Sequence, residues 1–575
     1  MSSTRARWAV LGLAVALCLP TVPAGLALDD YLLLARLTQP DSGWAGSAPF
    51  DLFRWLDPEH NTRLMDGAGM PWWTFEGARC AFFRPLSSLT HAVDFALFPR
   101  SVAFMHAHSL LWFALFLWLT SKTYFELIDD RWTAGVASAF FAFDSAHGVV
   151  VGWISNRNAL IAGALGVAAL LCHHRARQRR SLGFACAAWL YFALALLSGE
   201  LSVGLVGYLF AYALWLDRGR WLARIAGLAP YLVLFGVWTA LRHAGEYGSY
   251  GIGAYVDPIA EPLDFLRTLP TRWFLLMGSQ IGRVVSDIYA LAPSPVAKLW
   301  LAASITTTAA ATWYVWPTLV RSATARFFAT GAALSALPLA ATIPADRLLV
   351  LVGFGVMPPL AAAIYAGLRT PRGFRDARWF TFERARRHGA ILVAVVHLLV
   401  EPVMLPVIAL SISWVAQMTD DAESSVPADP HIAEQVVIVA SVPDSVLLTF
   451  VPTQRLWLGK PSPEKLYWLN ASNSQISLER RDASTLRARS AQGLFDSRNE
   501  ARSQRFALRA GDKVVLGEMT IEVLELNSQG LPSACDFVFA RPLESSRYRW
   551  QTWDHGRLRE FRVPAPGEKA WVKAS

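Results

Sequence analysis

Apolar blocks long enough to cross lipid recur along most of this 575-residue chain, and they decide what it can fold into. They run near residues 9–28, 102–121, 132–151, 157–173, 181–198, 201–216, 222–241, 297–320, 327–343, 348–368 and 389–413. With 54% hydrophobic and only 17% charged residues, such a chain cannot close around one aqueous core. The expected class is a polytopic α-helical membrane protein of about eleven spans.

Basic residues set the direction of the spans. Arg5 and Arg7 precede the first block, which puts the N-terminus in the cytoplasm. Counting from there, the clusters Arg175–Arg180, Arg218–Arg224, Arg321–Arg326 and Arg369–Arg387 all fall on the cytoplasmic side. One missed or extra span would invert every later cluster, so the agreement supports the count. The formal charge of +9 therefore reflects membrane sorting and is no signal for a nucleic-acid partner. The stretch 262–291 holds Asp264, Arg267, Arg272, Arg283 and Asp287, which is expensive for a lipid-exposed span. It is expected to lie as an amphipathic segment at the outer interface.

Residues 1–415 then form the membrane domain, with a large first outer loop at 29–100 rich in Trp, Phe and Pro. A polar linker at 416–431, containing MTDDAESSVPADP, leads to a soluble domain at 432–575 on the outer side. There, EQVVIVASV, SVLLTFV, DKVVLG and EMTIEVLEL read as short strands between turn residues, which predicts an all-β sandwich or barrel. The five Cys are irregularly spaced and form no metal or redox motif.

Several polar residues stand out at the expected outer face. Asp29 and Asp30 end the first block; an adjacent carboxylate pair can act as general base, metal ligand or both, or can cap the next helix. Arg157 and Arg347 are the basic residues of two very short outer turns, WISNRN and IPADRL. A guanidinium there suits a phosphate group, a salt bridge or a lipid headgroup. His106 and His108 lie within the second block, His147 near the outer end of the third beside Asp144, and Glu200 in LLSGELS. Walker, HExxH, GxSxG, CxxC and dinucleotide motifs are missing from the sequence, which leaves nucleotide hydrolysis and redox roles weakly supported.

The stretch FFRPLSSLTHAVDFALFP, followed by FMHAHSLLWFALFLWL, resembles the RPL-then-histidine region of GT-C glycosyltransferases. The branch it is most similar to is that of the polyprenyl-phosphate-sugar-dependent protein O-mannosyltransferases, including the transmembrane-and-tetratricopeptide type. FAFDSAHGVVVGWISNRNALIAGALGVAALL resembles that branch's His-to-Arg segment at His147, Trp153, Ile154, Ser155 and Arg157. ALLSGELSVGL parallels a Ser-Lys-Glu helix start at Ser198 and Glu200, and PADRLLVLVGF parallels a later outer-turn Arg at Arg347. Val149 stands where the family has Glu, and Gly199 where it has Lys; the tetratricopeptide repeats are replaced by the β-like region.

The resemblance implies a GT-C-like bundle whose first outer loop carries an acidic catalytic residue, which maps onto Asp29 or Asp30. It implies donor-phosphate contacts at Arg84, Arg157 and Arg347, supported by His108, His147 and Glu200, with a divalent cation on Asp29 and Asp30 as a candidate cofactor. The first block also has the features of a signal peptide, but its removal would leave that acidic pair untethered, so retention is expected. The expected activity is inverting transfer of a sugar from a polyprenyl phosphate to a protein or envelope-glycan acceptor. The expected place is a bacterial inner membrane, with the C-terminal domain periplasmic. The competing expectation is a non-catalytic lipid-carrier transporter or assembly scaffold, for which Glu401 is the main signal.

Overall fold

The computed structural model describes residues 3–38, 49–368, 382–496 and 501–573. The chain divides into two compact units: a helical one of residues 1–25, 82–246 and 257–413, and a second of residues 26–81, 247–256 and 414–575. Part of the Arg369–Arg387 cluster lies outside the described residues.

In the helical unit, Val102–Leu127, Ile154–Arg179, Trp221–Ala244, Val350–Leu368 and Ala385–Ser425 are long and apolar enough to cross a bilayer. Leu182–Leu196 and Glu200–Trp215 are shorter apolar helices. This is a multi-pass membrane protein. The block at 132–151 is broken: Arg131–Phe143 ends at Asp144, and His147–Gly152 restarts as a separate helix. The Ile154–Arg179 and Val350–Leu368 helices are wrapped by protein, whereas Trp221–Ala244 and Ala385–Ser425 leave most of their surface exposed. Small residues explain the central pair. A Cβ on Gly163 would meet the Phe116 ring at 2.9 Å, and one on Gly355 would meet the Phe328 carbonyl at 2.4 Å. Close backbone approach of this kind drives helix association where lipid is the solvent.

The charged stretch at 262–291 forms a 21-residue helix, Pro262–Gly282, then a short one, Ser286–Leu291. Its inner portion, Leu275 to Gln280, is buried, and Arg272 donates to the Ala340 carbonyl at 2.9 Å. Gly278 and Gly282 let this helix press on Ser304 and Thr307 of the Ser294–Arg321 helix. Toward Trp273 and Phe274 large rings replace the glycines, and an apolar groove of about 670 Å³ opens, lined also by Thr308, Ala309, Trp313 and Trp316.

The second unit corrects the all-β expectation. Its strands form a three-stranded, a six-stranded and a four-stranded sheet. The six-stranded sheet is antiparallel; in it, the DKVVLG and EMTIEVLEL segments, expected as strands, pair as a hairpin, Lys513–Val515 with Met519–Leu526. The four-stranded sheet is mixed, because Val436–Val439 runs parallel to both Lys465–Trp468 and Tyr548–Asp554. A parallel neighbour needs a crossover, and SVLLTFV supplies part of it as helix, not strand. Asp444 accepts from the Val446 N–H at 2.9 Å, Pro452 sits in the first turn of Val451–Leu458, and Gly459 at φ +64° ends that helix. Buried on both faces, VVIV shows the continuous apolar run of an internal parallel strand. The expected linker is also partly regular, since the Glu401–Ser425 helix runs through its first half.

The early outer segment is built into this unit. Trp72 donates to the Leu469 carbonyl at 3.3 Å, and Trp73 stacks on Phe495 with centroids 4.8 Å apart. Asp66 accepts from Lys465 at 2.7 Å, Tyr467 at 2.5 Å and the Gly517 N–H at 2.8 Å. Cys80 and Cys535 are both free thiols.

Candidate functional site

Two polar networks sit inside the helical unit. The first gathers around Arg157, which opens the Arg157–Arg179 helix and has no exposed surface. Its Nη1 pairs with Asp94 Oδ2 at 2.5 Å, Nε donates to Ser109 Oγ at 2.9 Å, and Nη2 donates to the Met105 carbonyl at 2.7 Å. His108 completes the group, its Nδ1 lying 2.7 Å from Asp94 Oδ1. The Trp112 indole donates to His108 Nε2 at 3.0 Å, so Nδ1 carries the proton and donates to Asp94. A buried guanidinium needs such a full set of acceptors, because desolvation otherwise outweighs the attraction.

Arg84 and Glu200 form the neighbouring pair, Nε to Oε2 at 2.7 Å, with the Arg84 guanidinium also 4.3 Å from the Phe82 centroid. Ser87 Oγ donates to the Ser198 carbonyl at 2.7 Å and ties the RPL helix to the turn that carries Glu200. His147 does something different. Its Nε2 donates to the Phe141 carbonyl at 3.0 Å, and its ring packs against Phe113, Phe116 and Phe141. It is a core residue here.

The second network centres on Asp346 and Arg283. Asp346 Oδ1 accepts from Ser279 Oγ at 2.6 Å, Ser286 N–H at 2.9 Å and Ser286 Oγ at 2.8 Å. Its Oδ2 accepts from Arg283 Nη1 at 2.8 Å. Arg283 Nε also lies 3.4 Å from Glu401 Oε1, and Glu401 Oε2 accepts from the Ser145 N–H at 2.8 Å. Gln280 donates to Asp144 Oδ2 at 2.7 Å. Arg283 caps the Pro262–Gly282 helix in the left-handed region, φ 58° and ψ 33°, a conformation costing a non-glycine residue about 1–2 kcal/mol. A π-helical turn, Val396–Val400, immediately precedes Glu401.

Arg347 follows Asp346 directly. Its guanidinium stands 5.5 Å from the Trp153 centroid, and among the described residues no carboxylate oxygen lies within 4.0 Å of it. Arg84, Arg157 and Arg283 each have an acidic partner, so Arg347 differs from them in kind.

In the second unit, Asp29 and Asp30 start the Asp29–Thr38 helix. Asp30 is buried and accepts from the Ala27 N–H at 3.0 Å, beside Leu28 at φ 48°; Asp29 is half-buried. Asp30 thus makes the backward bond of a capping box, to the N–H three residues before it. Seven residues on from Asp29, Arg36 is fully buried, donates to the Leu52 carbonyl at 2.6 Å and lies 5.1 Å from the Trp55 centroid. Burial pushes its pKa down to about 9, against the opposing pull of Asp51 and Asp29. Separately, Asp57, Glu59 and His60 bring ligand atoms within 4.8 Å of one another and could hold a metal ion. Asp57 is already committed to Arg54 at 3.1 Å and to the Glu59 N–H at 3.1 Å.

The structure thus groups Arg157 with His108 and Arg84 with Glu200. Residues that the sequence reading passed over are Asp94, Gln280, Ser286 and Asp346. One signal was available for each acid: a lone carboxylate inside the apolar helix THAVDFALF, and another beside Arg347 in IPADRL.

No protein-family model matches this chain, and no curated protein matches it. Among solved structures, it is similar to ArnT from Cupriavidus metallidurans in the apo state, at 12% identity and a TM-score of 0.40, over 80% of this chain and 86% of that one. It is also similar to the oligosaccharyltransferase of Archaeoglobus fulgidus tethered to an acceptor peptide containing the NVT sequon. That match has 11% identity and a TM-score of 0.42, over 78% of this chain and 63% of that one.

Proposed function

We propose that this protein is a membrane glycosyltransferase that takes a sugar from a polyprenyl phosphate and passes it to a hydroxyl acceptor at the outer face of a bacterial inner membrane. The observation that carries the proposal is the state of Arg347: partly exposed, at the start of a membrane helix, with no carboxylate in pairing range among the described residues. Such a guanidinium suits a phosphate monoanion or dianion. The groove of about 670 Å³ on the same helical unit has the size and apolar lining to take part of an isoprenoid chain.

In this reading the acceptor oxygen attacks the anomeric carbon as the bond from that carbon to the phosphate oxygen breaks. The electron pair leaves on the phosphate, where Arg347 offsets the growing charge. Asp29 or Asp30 takes the acceptor proton, a step worth about 10²–10⁴-fold. Attack opposite the leaving phosphate inverts the anomeric centre. Asp29 and Asp30 are also the carboxylates proposed for a divalent cation. The β-rich unit presents or selects the acceptor on the periplasmic side.

The experiment is transfer of labelled sugar from a polyprenyl-phosphate donor by purified protein in proteoliposomes. Transfer that weakens in Arg347→Ala at low donor concentration is the expected result; a wild-type protein that transfers nothing from any such donor overturns the reading. A second reading, a lipid-carrier transporter, is favoured by one observation, the buried Asp144, Asp346 and Glu401 carboxylates in the membrane unit. Donor translocation without sugar transfer in the same vesicles would select it.

A further inference from the structure

Arg347 and Asp346 are adjacent in sequence, yet the Asp346 carboxylate is turned to Arg283, Ser279 and Ser286. Asp287 lies on the same side, accepting the Asp346 backbone N–H at 2.8 Å. Arg283 is held for this task by the left-handed cap that ends its helix and by Glu401 at 3.4 Å. It is the one guanidinium within pairing distance of Asp346 among the described residues. Resting on the phosphate role proposed for Arg347, we infer that Arg283 is a positioning residue. By holding the Asp346 carboxylate, it prevents that group from capturing Arg347, and so keeps Arg347 available to the donor phosphate.

This is an electrostatic role, and it has a signature that simple structural support lacks. If Arg283 is removed, Asp346 loses its cationic partner and the neighbouring guanidinium becomes its substitute. If the carboxylate charge is removed as well, that competitor is gone and Arg347 keeps just the pull of Asp287 that it already feels in the wild type. Double mutation should therefore restore what the single mutation costs, whereas two losses of packing would add or compound.

The test is binding of farnesyl phosphate to detergent-solubilised full-length protein by isothermal calorimetry, with KM and kcat for sugar transfer measured alongside. Arg283→Gln should weaken farnesyl phosphate binding about tenfold, the loss of one charge-assisted hydrogen bond, and raise the donor KM with little change in kcat. Arg283→Gln combined with Asp346→Asn should bind within about threefold of wild type, and Arg283→Lys should do the same. A double variant that binds as weakly as Arg283→Gln, or more weakly, overturns the inference. Should Arg283→Gln fail to yield monodisperse protein, the comparison of Arg283→Lys and the double variant with wild type decides it by the same threefold limit. Arg347→Ala separates the two claims: if it binds farnesyl phosphate like wild type, the phosphate role itself fails. If Arg347→Ala loses binding while Arg283→Gln does not, only the positioning role fails.

Discussion

The Arg157 guanidinium meets the Asp94 carboxylate at 2.5 Å in the interior of the helical unit, where Arg157 has no exposed surface. The two residues come from helices 63 positions apart and are locked by Ser109 and the Met105 carbonyl. Removing one partner strands the other charge away from water. Asp94→Asn should therefore destabilise the protein by about 3–5 kcal/mol, and Asp94→Asn with Arg157→Gln by clearly less. Thermal unfolding in detergent, with all variants at one protein concentration, checks the order.

Arg347→Ala should raise the donor KM about 10- to 100-fold, because a hydrogen bond to a charged group contributes about 1.5–3 kcal/mol. Arg347→Lys should recover part of this, since a point charge cannot reproduce a two-pronged contact. Acceptor KM should stay within about twofold. Steady-state kinetics with donor and acceptor varied separately provides the measurement.

Asp29→Asn and Asp30→Asn distinguish base from cap. Loss of about 10²–10⁴-fold in kcat in one of them, with normal expression, identifies the proton acceptor. Asp30→Asn keeps a side-chain oxygen able to accept from Ala27, so its folding should be nearly unchanged. Full activity in both variants removes the carboxylate pair from the mechanism.

Filling the groove should discriminate by chain length. Ala309→Trp places a large ring among Trp273, Phe274 and Trp313. Its KM for long polyprenyl donors should rise about tenfold, and its KM for a short-chain analogue should not change. Equal effects on both donors would exclude the groove as the seat of the lipid chain.

Asp66 gives the β-rich unit a defined pH response. Burial works against its charge, but hydrogen bonds from Lys465, Tyr467 and the Gly517 N–H hold its carboxyl below the usual carboxylate range. A folded-state value below the unfolded one, about 3.9, means the stabilisation is fully present above that pH and is lost as pH falls through the folded value. Asp66→Asn should cost about 1–2 kcal/mol at neutral pH and progressively less as pH falls below the unfolded value. Hydrogen-exchange protection of the Gly517 amide, compared between the two proteins across that range, should converge in acid.

The membrane class was legible because span-length apolar runs have few other uses. The charges at 262–291 read as too costly for a lipid-facing span and led to an expected interfacial segment; the structure gives a helix whose Leu275–Gln280 portion is buried. What answers that cost, however, is partners on remote segments: Asp346 and Glu401 for Arg283, and the Ala340 carbonyl for Arg272. No local spacing reports such pairs. The parallel sheet was missed for a different reason. A short apolar run such as VVIV or SVLLTFV has no period that separates buried strand from helix, and the deciding features, Asp444 and Gly459, lie just outside the runs. Asp94 was hidden because a single acid in an apolar helix looks like a surface position until its partner is known.

The unit that holds Trp72 and Trp73 is assembled from three stretches of chain, the last beginning at residue 414. Synthesis therefore separates Trp72 from its Leu469 partner by 397 residues, which at about 5–20 residues per second is on the order of 20–80 s. Throughout that interval two indoles destined for a β-rich core await the strands against which they pack. A polypeptide arrested before residue 414 therefore leaves the Trp72 and Trp73 rings without the Leu469 and Phe495 contacts that bury them.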